Sequence, residues 1–432
     1  MTTKTPSLVI GGTNWASKEA KLLGYYQDDN EFFNAVEGDF SRASSKTVVN
    51  RDRLIEVLGV DVASVDFQDD VNGALFLEPQ STNLVTYSED FSNAYWSTLN
   101  SSVISGQSSP SADNPNGAFK LVPDTSNTAN HYIRTTISIS NSTDYTVSFF
   151  AKKGEYNFVS TYISALGWAY TWDLNLGTVV LGDAGIEDYG NGWFKCTISA
   201  TSTSTSLSYR IYSSEFEDRN FSFTGDGTSG VYIYGAQVEA LPYATSYIPT
   251  NGSAVTRVKD VATNFGDVNT FNSEEGVLFV ESSVLFNDLN TERRISISNG
   301  TDSNQIMIKY DNVDNILKGF YIANGVNQGI VTVSIVVTDI NKIAISWGVN
   351  NFNLWINGVK VSTDNSVAMI PNGTINSLKF NSGSGGHYFY GKVKQVQVYK
   401  EALTDSELEY LTTYATFLDL ANSNNYNLIL DI

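Results

Sequence analysis

The chain has 432 residues, 12% aromatic and 17% charged, with a formal net charge of −20. That length allows two or three domains with their own cores, and the mix of Tyr, Phe, Ser, Thr and Asn favours strands and turns over helix or disorder. So acidic a surface disfavours nucleic acid and anionic membranes as partners, no apolar run reaches the 18 residues of a spanning helix, and a lone cysteine, Cys196, excludes an internal disulfide framework.

In chain order, the opening MTTKTPSLVIGG lacks the apolar core and cleavage site of a signal peptide. KEAKLLGY (18–25) predicts a short helix and DRLIEVL (52–58) a second apolar cluster. Neither nucleates a domain alone, so residues 1–80 are expected to form a small N-terminal docking segment. Residues 81–250 alternate strictly: Tyr145, Val147 and Phe149 share one face of DYTVSFFAKKG, Leu207, Tyr209 and Ile211 one face of LSYRIY, and Val231 and Ile233 one face of GVYIYGAQVE. Period two over short runs broken by Gly, Asn and Ser predicts strands with one buried face, stacked as a sandwich or jelly roll. SSVISGQSSPSADNPNG reads as a loop and TSTSTS as an edge or exposed strand face. In WFKCTI, Phe194, Cys196 and Ile198 share a face, which makes the thiol a buried one.

The polar stretch 251–264, with Gly252, reads as an interdomain linker. A second strand-rich region, 265–415, follows. Phe352, Leu354 and Ile356 alternate up to Asn357–Gly358, a type I′ hairpin signal. In LTDSELEYLTT, Thr404 and Glu407 form a capping box opening a short helix. The tail 416–432 turns abruptly apolar and is expected to dock on a neighbour. The fold class expected is therefore all-β, two β-sandwich domains in series behind the N-terminal segment.

Chemistry is sparse. Two histidines, His131 and His387, lie in no nucleophile context, and with one cysteine they supply no usual zinc ligand set. No phosphate-cradling glycine motif follows a strand. Paired carboxylates could support glycoside hydrolysis, but the nearest cluster, Glu215, Glu217 and Asp218, reads as a solvated loop. Aromatic stripes are more informative, because sugars stack their C–H faces on rings and offer hydroxyls to neighbouring amides. Trp168, Tyr170 and Trp172 alternate in GWAYTWDLNLG. Trp172 reads as core, while Trp168 and Tyr170 could be core or a glycan-binding face. Trp355 points away from Leu354 and Ile356, so it is either exposed or covered by a loop.

Two resemblances organise these segments. GDFSRASSKTVVNRDRLIEV, then ALFLEPQSTNLVTYSEDFSNAYW, resembles a segment recurring in tailed-phage virion proteins. The pattern departs at Asp52–Arg53, where a glycine is common. TWDLNLGTVV, YGNGWFKCTIS, VYIYGAQVEAL and YATSYIPTNGSAVTR follow in that family's order, so the likeness runs from Asp39 to Lys259 and implies a jelly roll similar to carbohydrate-binding modules. Residues 265–415 resemble a concanavalin A/laminin G-like domain through Gly391, Val393, Val396, Val398, Tyr399, Leu403, Thr404, Glu407 and Leu408. That resemblance implies sugar or protein binding and, in many members, a structural calcium, with no ligand residues to name.

Together they imply a non-enzymatic phage virion protein, tail- or fibre-associated, that binds host surface polysaccharide and contacts other virion proteins. The family's habit implies a homo-oligomer, trimers among them. A decoration protein making only protein contacts and a glycan depolymerase are the rival expectations. The polar lead-in EPQSTNL…YSEDFSNAYW itself reads as a seam: Gln80, Thr82 and Asn83 would satisfy buried backbone groups, and Tyr87, Phe91 and Trp96 would plug the sandwich end.

Overall fold

The computed structural model describes residues 4–12, 15–18, 21–27, 33–127, 129–167, 169–217, 222–365 and 368–413. Strands dominate, with one helix, Asp405–Thr413, among the described residues. The fold is all-β, and the chain divides into two units whose boundaries are not those expected from sequence. One comprises 1–43, 60–79 and 259–432, the other 44–59 and 80–258.

The first unit corrects the expectation of a separate N-terminal segment. Its large sheet runs Val261–Thr263, Phe33–Ser41, Lys21–Gln27, Leu8–Gly11, Gly391–Tyr399, Gly276–Val284, Asn341–Gly348, Asn351–Ile356, Val359–Asp364, and Ala74–Leu77 also pairs with Gly391–Tyr399. Leu8 faces Val398 and Ile10 faces Val396, so the N-terminal strands complete the C-terminal sandwich. KEAKLLGY is therefore strand, not helix, from Lys21 onward, with Leu22 fully buried. A short helix is costly to nucleate, whereas here both neighbouring strands satisfy the backbone. Gly38 is needed in this sheet because the Phe265 ring lies where its Cβ would be.

A five-stranded sheet, Val326–Ser334, Ile316–Ala323, Gln305–Tyr310, Arg293–Ser298, Ser377–Lys379, forms the second layer. Leu8, Ile10, Leu278, Val280, Ile345 and Val396 from the large sheet meet Ile295, Ile297, Ile306, Ile308 and Leu317. The strand Gly276–Val284, paired on both sides, is buried along its whole length, its polar Glu281, Ser282 and Ser283 included. The Asn357–Gly358 hairpin forms as expected, both residues at positive φ (49° and 85°). The capping box forms too: Glu407 accepts from the Thr404 N–H at 2.7 Å, and the Glu407 N–H donates to Thr404 Oγ1 at 3.3 Å. The tail 416–432 lies outside the described residues.

The second unit stacks two six-stranded sheets. One runs Ser97–Leu99, Tyr132–Ser138, Ser206–Ser214, Phe158–Ile163, Ala169–Asp173, Thr178–Leu181; the other Ser101–Gln107, Ala118–Pro123, Val231–Glu239, Asp144–Lys153, Trp193–Thr201, Gly185–Asp188. Tyr145, Val147, Phe149, Leu207, Tyr209 and Ile211 all lie in the shared core, with Cys196 and Trp172. One-face burial proved incomplete. Phe150 and Tyr234, on the other face, pack with Val49, Ile55, Tyr189, Trp193 and Tyr247 in a second small core.

DRLIEVL supplies the strand Ile55–Leu58 of that layer, paired with Lys46–Val49. The segment read as a loop contributes the edge strand Ser101–Gln107, and TSTSTS bridges two strands of opposite sheets. The expected linker is likewise structured: Val255–Arg257 pairs with Ser81–Asn83, and Val261–Thr263 with Phe33–Ser41.

Candidate functional site

The lead-in is a seam. Asn83 is fully buried. Its Nδ2 donates to the carbonyls of Ala236 (3.1 Å) and Ile248 (2.8 Å), and its Oδ1 accepts from the N–H groups of Val85 and Val238 (3.1 Å each). Ser81 Oγ donates to Glu239 Oε1 at 2.7 Å, Gln237 Oε1 accepts from the Ile248 N–H at 2.7 Å, and Arg257 donates to Ser246 Oγ at 2.7 Å. Thus TNL, about 150 residues upstream, and the neighbouring segments GAQVE and ATSYIPT lock one another's backbone. Phe91 and Trp96 pack at 5.0 Å in the core, and the Trp96 indole donates to the Tyr87 carbonyl. Of the three residues expected to satisfy buried backbone groups, only Asn83 does so; Gln80 is exposed, and Thr82 bonds the Thr256 hydroxyl at the surface.

The three aromatics singled out from sequence meet different outcomes. Trp168 lies outside the described residues. Tyr170 is half-buried, stacked on Trp172 with ring centroids 6.5 Å apart, and its hydroxyl donates to the Leu166 carbonyl. Trp355 belongs to the other unit and is only 4% exposed. It is covered by the helix through Leu408 and Leu411, not by a loop. A helix packed on that sheet face was not visible in the local alternation. Glu215 and Glu217 are exposed and Asp218 lies outside the described residues. His131 is buried, its ring nitrogens facing the carbonyls of Asn100 and Phe223. Cys196 is buried and burial raises its thiol pKa, so both groups are structural.

What sequence reasoning passed over is a cation set among tyrosines on the outer face of the sheet containing Ser206–Ser214. The pieces are Tyr132-x-Arg134 in HYIR and Arg210-x-Tyr212 in YRIY. Antiparallel register places Tyr132 opposite Tyr212 and Arg134 opposite Arg210, and on the far side Tyr162 opposite Arg210. The Arg210 guanidinium lies 5.0 Å from the Tyr132 ring centre and 4.9 Å from that of Tyr162, and it bonds the Tyr212 hydroxyl. Burial raises the Tyr212 pKa, so it remains a neutral donor and acceptor. Tyr132 and Tyr212 are buried, Tyr162 and Arg210 half-buried, and Arg134 exposed. The inverse Tyr-x-Arg and Arg-x-Tyr patterns were the available signal.

The first unit carries a cleft of about 560 Å³ lined by Thr5, Ser7, Tyr26, Glu37, Asp267 and Lys400 among others. Burial opposes ionisation of Asp267, but hydrogen bonds from Asn269 and Thr270 outweigh it and lower the pKa. That carboxylate is occupied in its own turn and poorly suited to act as a general acid. For the calcium that the laminin G resemblance implies, no group of three or more His, Cys, Asp or Glu side chains suited to a metal occurs among the described residues.

One comparison with known proteins is located by residue. Residues 282–409 match the concanavalin A-like lectin/glucanases superfamily. This concanavalin A-like domain lies within the first unit. No curated protein matches the chain. Among solved structures, the CBM40 of the Ruminococcus gnavus IT-sialidase, bound to alpha2,3 sialyllactose, is 17% identical, with 35% of this chain and 93% of that chain covered and a TM-score of 0.29. Domain 4 of the arabinanase AbnA from Geobacillus stearothermophilus, in complex with arabinotriose, is 13% identical over 39% of this chain and 81% of that chain, with a TM-score of 0.30.

Proposed function

We propose that this protein is a non-catalytic glycan-binding component of a tailed-phage virion, tail- or fibre-associated, made in the bacterial host cytoplasm and carried on the particle. The observation that carries glycan binding is the half-buried Tyr162–Arg210 platform, with Tyr132 and Tyr212 behind it, on a sandwich face. Rings beside fixed polar groups supply both contacts a sugar needs. The concanavalin A-like match at 282–409 supports the same reading for the other unit. The virion role is supported by the ordered FSRAS, LEPQSTNL and GAQVE motifs and by their resemblance to virion proteins.

Each shallow site would bind weakly, and a homo-oligomer displayed in many copies would raise avidity without new contacts. The test is binding of the purified protein to host cells before and after stripping of surface polysaccharide, with detection of the chain in purified particles. Binding lost on stripping supports adhesion. Binding to neither cell population while the chain is present in particles would favour a decoration protein. Release of reducing ends would instead favour a depolymerase.

A further inference from the structure

Two arginines standing directly opposite each other on neighbouring strands repel one another, and such pairs destabilise a sheet. Arg134 and Arg210 are such a pair, in a chain with 46 acidic residues and 26 Lys and Arg. Among the described residues no carboxylate pairs with Arg210, and its buried Nε has no hydrogen-bond partner. Arg134 Nε donates to the neutral Ser97 Oγ at 3.3 Å, and among the described residues no carboxylate pairs with Arg134. Among the described residues the face therefore holds a double positive charge with no carboxylate paired to it, one member of which is oriented by two tyrosine rings.

We propose that this face binds a carboxylate-bearing sugar, a uronate or a nonulosonate, the carboxylate lying between Arg210 and Arg134 and the sugar's C–H face resting on Tyr162. This inference rests on the glycan-binding reading and narrows it. A guanidinium presents paired donors whose geometry matches a carboxylate. Arg210 is already flanked by rings, so little side-chain freedom is lost on binding. The cross-strand row Ser97, Arg134, Arg210, Tyr162 places charge at its centre and an apolar ring at one end. A carboxylated sugar is polar at one edge and apolar on one face, the same order.

The probes are trigalacturonate and sialyllactose, each measured against its methyl ester, which removes only the charge, and against a neutral oligosaccharide. The full-length protein is titrated by calorimetry in low and physiological salt. Binding of at least one acid is expected, with about tenfold or greater loss for its ester and for Arg210→Gln, the scale of a charged hydrogen bond. The two acids distinguish a uronate from a nonulosonate site. Arg134→Ser, at an exposed position, should weaken binding less and, by relieving the like-charge pair, leave the melting temperature at or slightly above that of wild type, which separates recognition from folding. Equal affinity for acid and ester, or wild-type affinity in both arginine variants, overturns the inference. If neutral glycan or host-cell binding persists in that case, glycan recognition stands and only the acidic-sugar assignment fails. If nothing binds in any arm, both readings fall.

Discussion

Substitution of Asn83 by Ala tests whether the polar lead-in is a seam. The side chain is fully buried and makes four hydrogen bonds, two as donor and two as acceptor, all to backbone groups. Removing it leaves two carbonyls and two N–H groups short of a partner where water does not reach. Each orphaned buried group costs roughly 1–3 kcal/mol. Some relax toward one another or share other bonds, so the expected net loss is about 3–5 kcal/mol, at the diagnostic end for a point change. For a unit of roughly 200 residues this lowers the melting temperature by about 10 °C. Scanning calorimetry of the full chain would show one endotherm moving. Thr82→Ala, next in sequence, is the control, because its bond to Thr256 Oγ1 is solvent-exposed; it should shift melting by no more than about 2 °C. Should Asn83→Ala melt within about 2 °C of wild type, the seam argument is wrong.

Further expectations concern the first unit. Trp355→Ala should cost about 3–5 kcal/mol in chemical denaturation, since the ring lies under Leu408 and Leu411; impaired glycan binding at unchanged stability would instead make it a site residue. Arg42 and Asp260 form a pair at 3.0 Å with both side chains wholly buried, and Asp260 also accepts the Glu78 N–H at 2.9 Å. Asp260→Ala should therefore cost about 3–5 kcal/mol by stranding the guanidinium, and a loss under about 1 kcal/mol would refute this. Burial raises the Glu292 pKa, but Lys309 and Arg294 outweigh it and hold the carboxyl below its ordinary 4.5. A depressed folded pKa gives stability that is present above pH 4.5 and lost as pH falls through the folded value. Glu292→Gln should flatten the acid limb of the melting-temperature profile, and an unchanged limb would show that the network contributes nothing. Chelation with EDTA should move the melting temperature by no more than about 2 °C; a larger fall would reveal a calcium site built largely from carbonyls.

Much of the strand content was legible because period two reports which face is buried. Tyr145, Val147 and Phe149 are core for the reason their spacing gave, and Asn357–Gly358 turns because both positions take positive φ. The site was less legible. Rings were sought as tryptophan stripes, yet Trp96, Trp172, Trp193, Trp347 and Trp355 are buried, the largest rings filling cores that only facing layers complete. The tyrosines around Arg210 come one from each of three strands, and no local window holds more than one of them.

By itself the sequence determined an all-β chain, an N-cap at Thr404 and a hairpin at Asn357–Gly358, because each follows from side-chain spacing or backbone preference within a few residues. Tertiary structure decided that Leu8–Gly11 and Lys21–Gln27 belong to the sheet of Gly391–Tyr399, and that Arg134 faces Arg210. Strand partners are chosen by which backbones and apolar faces meet across hundreds of residues, and no spacing within one segment encodes that choice.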